Sequence, residues 1–549
     1  MEKSTLDGKL FAQMVFEGAN NLRANKSIVN DLNVFPVPDG DTGDNMFMTL
    51  QSGCKAIYDL EDDALDVVST TLAKGMLMGA RGNSGVILSR IFAGIAEGLS
   101  HSTTADVSVL SNALHTGVKR AYESVAKAVE GTILTVYRDA CLYAAGTAKE
   151  DTTVNSYFND LFDELKRSLE RTPEILEVLA EAGVVDSGGA GLVFIFEGML
   201  NALEGRKNEY SFESESEAPV VDFSKFNEDS SLDFGYCTEF LLQLLNEKGG
   251  VEAFNLDDFT AFLNSVGDSV VSFVDGTVVK VHVHTKTPGD VLSHAQKYGE
   301  FLTLKIENMT LQHNETTVKN RYVAPSMNKK KKTAVVAVAA GEGICNILTD
   351  SGVDIIVDGG QCMNPSVANL IDAFDKVNAE NIIVLPNNSN VVMTADSAAE
   401  LYDKAKVHVL RSKNIGQGYA AMCSFDPDCD DIEAMMQDLT DAMADVSTGM
   451  VCRAVRDSSV GGAVVKEGEF IGICGDDILS NSEDVEEALL KLSENIASDY
   501  DVILLCFGND VSEEEAANVH GKLEKAMKNS EIVLINGAQP VYDYMIICL

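Results

Sequence analysis

The chain has 549 residues, more than one hydrophobic core organises, so two to four domains are expected. Apolar side chains make up 45% of it, which excludes a disordered chain. Acidic residues outnumber basic ones 85 to 42, and the formal charge of −43 repels phosphate backbones and anionic headgroups, so no nucleic acid is expected as a partner. Met1-Glu2-Lys3-Ser4 opens no secretory segment, and no run reaches the roughly 18 apolar residues that span a bilayer. A cytoplasmic protein without a transmembrane segment is expected. The 11 cysteines form no CxxC pair, consistent with reduced thiols.

Residues 1–205 read as almost entirely helical. Leu10, Phe11, Met14, Val15, Gly18 and Leu22 recur at helical spacing, and similar stripes run on to residue 182. Residues 206–234 form an acidic linker around Ser211 to Pro219. Residues 235–313 read as a small α+β domain, with helices over Thr238 to Leu245 and Leu256 to Val266, then strands over Ser269 to Val274 and Thr277 to Thr285. A second linker, 314–332, holds Pro325 and the lysine run Lys329 to Lys332, read as solvated rather than anion-binding. From 333 to 549, apolar runs at Ala334–Ala339, Asp354–Val357, Ile382–Leu385 and Val407–Leu410 alternate with helical stretches. That is the βαβ rhythm of a mainly parallel sheet. Later strands are expected at Met450–Val455, Gly462–Val465, Val502–Cys506 and Glu531–Leu534.

Chemistry concentrates in the loops of the first domain. Asn33 to Asn45 packs Asp39, Asp41 and Asp44 among prolines and glycines. Such a turn gathers hard oxygen ligands of the kind Mg²⁺ takes, with water and substrate phosphate completing its shell. The other reading is an acidic turn capping its own amides. Gly79 to Gly85 opens a helix with Gly82, Asn83 and Ser84, so backbone N–H groups there favour an anion, and Arg81 can neutralise a transferring phosphoryl group. A plain helix–helix turn is the alternative. Thr132 and Asp186 sit in two further glycine-bearing turns that either line a nucleotide pocket or simply pack. In the middle domain His282 and His284 lie two apart on a strand, so both imidazoles share one face. With Cys237, and Glu239 or water, they make a Zn²⁺ set; two surface histidines are the alternative.

Val34-Phe-Pro-Val-Pro-Asp-Gly-Asp-Thr-Gly43, Ala80-Arg-Gly-Asn-Ser-Gly-Val-Ile-Leu-Ser89, Glu130-Gly-Thr-Ile-Leu-Thr-Val136 and Val184-Val-Asp-Ser-Gly-Gly189 resemble, in order, the motifs of the dihydroxyacetone kinase nucleotide-binding family. Lys280 to Thr285, Lys305 to Met309, Gly359 to Ser366 and Leu385 to Asn388 extend the resemblance to the catalytic subunits of bacterial fatty acid kinases, over nearly the whole chain. The resemblance implies an eight-helix barrel holding ATP through two Mg²⁺ ions, a zinc site in the middle domain, and a DegV-like α/β fold at the C-terminal end.

Matched residue by residue, Asp39 and Asp41 are metal ligands. Asn83, Ser84 and Thr132 lie near the nucleotide, and Asn45, Gly82 and Asp186 join them from the same loops. Asp44 stands where threonine is common, and Asn33 lies nearest a further upstream aspartate of the family. Ala128, Ser187 and Cys362 also depart from the usual proline, alanine and threonine. The C-terminal asparagines Asn364, Asn387, Asn388 and Asn390 are expected to satisfy loop backbone groups.

The expected activity is phosphorylation of a fatty acid carboxylate, with Asp39, Asp41 and Arg81 as the catalytic set and ATP, Mg²⁺ and Zn²⁺ as cofactors. A separate DegV-family fatty-acid-binding protein would present the lipid, and the C-terminal domain would dock it and form a homodimer. The linkers would let the first domain swing toward a carrier docked on the third. Kinase action on a small hydroxyketone or polyol is one alternative, and a non-enzymatic nucleotide- and metal-sensing scaffold is another.

Overall fold

The computed structural model describes residues 3–33, 40–205, 236–245, 254–275, 277–308, 330–359, 364–427, 429–458, 464–475, 477–497 and 500–549. Residues 206–234 and 314–329, with Asp39 and Cys362, lie outside these. The chain divides into two compact units: Met1–Ser211 together with Val323–Leu549, and Phe212–Tyr322.

The first unit opens with helix α1 (Gly8–Asn30). Asp7 starts it by accepting a hydrogen bond from the Leu10 amide at 2.8 Å, and the expected stripe of Leu10, Phe11, Met14, Val15 and Leu22 is buried. There follow α2 (Thr42–Tyr58), α3 (Leu65–Gly79), α4 (Gly82–Gly98), α5 (Val107–Glu123), α6 (Ile133–Thr147), α7 (Val154–Ile175), the short α8 (Glu177–Ala182) and α9 (Ser187–Leu203). Two-residue strands β1 (Leu6–Asp7) and β2 (Thr104–Ala105) pair antiparallel beside them. Helix α1 packs on α9 and α2, α4 on α5, and α6 on α7.

The second unit is an antiparallel sheet in the order β4-β5-β3-β6, built from β3 (Tyr236–Leu244), β4 (Gly267–Asp275), β5 (Val278–Thr285) and β6 (Gly299–Asn308). Helices α10 (Leu256–Val266) and α11 (Pro288–Ala295) pack on it through Phe259, Leu263, Val291 and Ala295. The helix expected over Thr238 to Leu245 is a strand. Thr238, Phe240, Leu242 and Leu244 are buried at period two, whereas the leucines interleaved with them in the sequence make the run look apolar on every face.

The chain then returns to the first unit. Strand β7 (Lys331–Ala339) starts inside the stretch read as linker, and Lys331 and Lys332 pair with Asp354 and Asp430. With β8 (Ile355–Asp358), β9 (Ala379–Leu385) and β10 (Lys406–Val409) it forms a parallel sheet in the order β10-β9-β7-β8. Its helices are α12 (Glu342–Asp350), α13 (Val367–Lys376) and α14 (Val392–Leu401). The rest of the chain corrects the expectation of one mainly parallel sheet. After α15 (Ile415–Cys423) and α16 (Ile432–Ala444) come β11 (Ser447–Arg453), β12 (Phe470–Cys474), β13 (Asp477–Ser482), α17 (Val485–Ile496), β14 (Val502–Phe507), α18 (Glu513–Ala526), β15 (Glu531–Asn536) and β16 (Tyr544–Cys548). These strands form a second sheet, β13-β12-β11-β16-β14-β15, in which β14–β15 is the parallel pair. The connection between β12 and β13 is too short for a crossover, so it reverses the chain. In place of the strand expected at Gly462–Val465, Val465 makes a single antiparallel bridge to Ser458; 459–463 lie outside the described residues.

The apolar run of β7 is buried on both faces. Val335, Ala337 and Ala339 share a core with Leu504, Cys506 and Ile547 of the second sheet. Ala334, Val336 and Val338 face α13 and α14 through Leu370, Phe374 and Ala395. Ala80 and Val86 of the helical domain belong to this latter cluster. The helical and C-terminal domains are therefore packed together, with α3 against α13 and α4 against α14, rather than swinging on linkers.

Candidate nucleotide and metal site

The site is built where α1 ends and α2 and α4 begin. Asn30, the last residue of α1, accepts from the Gly43 amide at 2.7 Å and donates to Asp44 Oδ2 at 2.6 Å. A Cβ on Gly43 would lie 2.2 Å from the Lys26 carbonyl, so glycine permits this close approach. Asp44 also meets Lys26 Nζ at 3.1 Å, so both of its oxygens are tied to α1. Asn33 Oδ1 accepts from Thr42 Oγ1 at 3.1 Å and Ser187 Oγ at 3.3 Å.

Asp41 precedes α2 and is buried, and its Oδ1 accepts from Asn45 Nδ2 at 2.8 Å. Directly against Asn45 lies Gly82, with φ +57°; a Cβ there would sit 2.5 Å from Asn45 Nδ2. The glycine thus serves the left-handed turn and leaves room for the residue that orients Asp41. The Arg81 amide donates to Thr49 Oγ1 at 3.3 Å, which links the start of α4 to α2.

The C-terminal domain reaches into this network. Asn364 Nδ2 donates to Asp41 Oδ2, and the Asn364 carbonyl accepts from Arg81 Nη1 at 3.2 Å. The Val367 amide donates to the Ala80 carbonyl at 3.2 Å, and Asn83 Nδ2 donates to Asn390 Oδ1 at 3.3 Å. Asn387 does what was expected of it, donating to the Val338 carbonyl at 3.0 Å, and Asn388 accepts from the Asn390 amide. Asn364 and Asn390 do not stop at loop backbone: they contact Asp41, Arg81 and Asn83 of the helical domain. Sequence reasoning missed that role, although both stand in or beside the quoted motifs Gly359 to Ser366 and Leu385 to Asn388.

A cleft of about 1030 Å³ opens beside the network. Asn83, Ser84, Thr132 and Asp186 line it from the helical domain, Met393 and Arg411 from the C-terminal domain. The Thr132 hydroxyl donates to the Val129 carbonyl at 2.8 Å. Asp186 caps α9, accepting from the Gly189 amide at 2.6 Å. Burial pushes its carboxyl up to about 6, against the pull of the Gly189 and Ile133 amides. The structure therefore joins Asp41, Asn45, Arg81 and Asn364 by hydrogen bonds, with Gly82 set against Asn45; Asn83, two residues after Arg81, bonds instead to Asn390 and lines the cleft. It leaves Asp44 and Asn33 in separate hydrogen-bonded groups.

Among the described residues no group of three or more His, Cys, Asp or Glu is placed to hold a metal. A hard cation still fits at Asp41. Beside it, Asn364 Oδ1 is buried and has no hydrogen-bond partner among the described residues, and Mg²⁺ takes few protein ligands, all oxygen. The side chains of Cys237, His282 and His284 lie outside the described residues; along the backbone Cys237 is opposite His284.

Residues 36–201 match the DAK2 domain, 233–316 the middle domain of the FakA-like fatty acid kinase proteins, and 334–548 the C-terminal domain of the same FakA-like proteins. The chain is 39% identical to Protein YloV of Bacillus subtilis over the full length of both. It is 36% identical to an uncharacterized protein of Staphylococcus aureus, over 98% of this chain and 99% of that one. Among solved structures, the dihydroxyacetone kinase from C. freundii in complex with AMP-PNP and Mg²⁺ is 20% identical, over 36% of this chain and 35% of that one, with a TM-score of 0.29. DegV, a fatty acid binding protein from Bacillus subtilis, is 12% identical, over 40% of this chain and 99% of its own, with a TM-score of 0.31. No helix among the described residues is long and apolar enough to cross a membrane. With all three of its domains matched in order and a full-length relative at this identity, the chain belongs to the FakA-like fatty acid kinase family, whose N-terminal part is a DAK2 kinase domain.

Proposed function

We propose that this protein transfers the γ-phosphoryl group of ATP to the carboxylate of a fatty acid presented by a separate DegV-family fatty-acid-binding protein. A carboxylate oxygen bonds to phosphorus, the bond to the bridging oxygen breaks, and its electron pair leaves with ADP, giving an acyl phosphate. The supporting observation is the hydrogen-bonded group around Asp41 at the starts of α2 and α4, with the cleft lined by Asn83 and Ser84 from the first turn of α4, in a chain of this family.

The acceptor is ionised near neutral pH, so no general base is required, and catalysis rests on positioning and charge. Asp41, with Asp39, would hold Mg²⁺, which when bound offsets the phosphate charge. Asn45 fixes the Asp41 carboxylate, and Gly82 makes room for that contact. Arg81 brings a positive charge to the start of α4, and the amide of Ser84 lies in the first turn of that helix, which favours an anion. The C-terminal domain docks the carrier and forms the dimer in this reading.

In the middle domain we assign a structural Zn²⁺ to Cys237, His282 and His284, supported by the register that sets Cys237 opposite His284 and by the two-residue spacing of the histidines. Elemental analysis of protein purified without added metal is expected to give one zinc per chain, lost in the double variant His282→Ala, His284→Ala.

ATP turnover, assayed with and without lipid-loaded binding protein, tests the main reading. Turnover that requires the loaded carrier is expected. Phosphorylation of dihydroxyacetone without carrier would favour the small-substrate kinase, and Mg·ATP binding without turnover would favour the sensing scaffold.

A further inference from the structure

The kinase-side members of the Asp41 network come from the loops that open α2 and α4. Asn364 comes from the other domain, and it is held there firmly. Its side chain is 4% exposed, and its carbonyl accepts from Arg81. Two residues on, Ser366 and Asn369 cap the start of α13 reciprocally, and the Val367 amide bonds to the Ala80 carbonyl. The segment is thus anchored on both sides of the contact, by its own helix and by the kinase loop.

The carboxamide itself is half-used. Nδ2 donates to Asp41 Oδ2, whereas Oδ1 is buried and has no hydrogen-bond partner among the described residues. A buried amide oxygen left bare is unfavourable, and a bound water or ion is one of the ways a native fold satisfies it. A neutral amide oxygen beside a carboxylate is the donor type that hard divalent cations accept.

We propose that Asn364 is a cation-site residue supplied in cis by the C-terminal domain: Nδ2 holds the Asp41 carboxylate in place, and Oδ1 serves the divalent cation that the carboxylate binds. This rests on the reading that Mg·ATP binds at Asp41. It follows that the cation site is complete only while the C-terminal domain is docked on the helical one, which couples the domain that meets the carrier to the chemistry.

The test uses the full-length protein, Mg²⁺ and ATP, with two readouts besides turnover: calorimetric ATP binding with and without Mg²⁺, and the Mg²⁺-induced shift in melting temperature. Wild-type protein is expected to bind ATP in a Mg²⁺-dependent manner; its failure to do so would overturn the functional reading and this proposal with it. If it does bind, N364A is expected to lower Mg²⁺ affinity about tenfold, the scale on which groups supporting a metal ligand act, while Mg²⁺-free ATP affinity stays unchanged. N364D sets a second carboxylate beside Asp41. That variant is expected to melt below wild type without metal and to be raised by Mg²⁺ more than wild type is. A merely structural asparagine would lower the melting temperature in both variants and leave the response to Mg²⁺ as in wild type. That result would overturn the proposal.

Discussion

Asp41 and Asp44 lie one helical turn apart and have opposite surroundings. Asp44 is tied to the Lys26 ammonium and the Asn30 amide, which compensate its charge in place. Asp41 accepts from two carboxamides, Asn45 of α2 and Asn364 from the C-terminal domain, both of which orient it. Asp41→Ala is therefore expected to weaken Mg²⁺-dependent ATP binding by at least about tenfold. Asp44→Thr should leave that affinity within about twofold and cost less than about 1 kcal/mol, because the pair it breaks is partly exposed. Calorimetry and thermal melts on both variants decide this, and equal losses in Mg·ATP affinity would count against the separation. Asp186 gives a pH prediction. Burial raises its carboxyl to about 6 from an ordinary 3.8, so the folded protein binds that proton more tightly than the unfolded chain. Stability is then fully present below the unfolded value and lost as pH rises through 6. Asp186→Asn removes the ionised group, so it should be stabilising at pH 7.5, by well under the roughly 3 kcal/mol of the shift, because it gives up helix-dipole attraction and weakens the hold on the Gly189 and Ile133 amides. Melting at pH 7.5 and pH 4 should show the variant's advantage disappear in acid; a pH-independent difference would contradict it. At this scale the aspartates and glycines of the loops were legible because turn chemistry is local. Asn364 was not, because its partner Asp41 is 323 positions away and no local period signals that contact.

At the scale of elements, α4 depends on its first residue. An alanine at Gly82 meets both a φ of +57° and Asn45 Nδ2 at 2.5 Å. The left-handed conformation alone costs about 1–2 kcal/mol for a residue with a Cβ, and displacing Asn45 also frees Asp41. Gly82→Ala is expected to lower stability by about 2 kcal/mol and to weaken Mg·ATP binding as well. Gly146→Ala, in α6 with nothing within 4 Å of the new Cβ, should stabilise by about 0.5–1 kcal/mol and leave binding alone. Paired melts and titrations test the contrast; a Gly82→Ala protein that binds Mg·ATP like wild type would remove α4 from the site. The same physics explains which elements the sequence revealed. Helix α1 shows one buried stripe, and β7 shows a continuous apolar run because both of its faces are covered. Strand β3 mixes its period with interleaved leucines, β12 is five residues long with a glycine at its centre, and β13 is half-polar, so none of these patterns separates helix, strand and loop. The apolar run Tyr544 to Cys548 follows from its place: β16 runs between β11 and β14, and all five residues are buried.

For the whole molecule, the two parts of the first unit are far apart in sequence and close in space. Ala80 and Val86 share an apolar cluster with Val336 and Val367, Arg90 reaches Glu400 at 2.8 Å, and Arg456 Nη1 donates to the Asp31 carbonyl at 2.7 Å. The exposed ion pair is worth at most about 1 kcal/mol, so the apolar cluster and the Asn364 contacts should dominate the association. The middle unit has its own core of Phe240, Leu242, Val281 and Phe259 and does not supply these contacts. Cutting out Phe212–Tyr322 should therefore leave the first unit able to assemble. Co-expressed fragments 1–211 and 323–549 are expected to co-purify and to co-elute in size-exclusion chromatography, with Mg·ATP affinity close to that of the full chain. Fragment 1–211 alone should be folded by circular dichroism and yet bind Mg·ATP more weakly, because Ala80 and Val86 lose their cover and Asp41 loses Asn364. Val86→Asp, which buries an unpaired carboxylate in the shared cluster, should separate the fragments. If the two fragments are each folded and elute apart, the packing between the domains is too weak to hold the site together, and tethering through the chain must supply what these contacts do not.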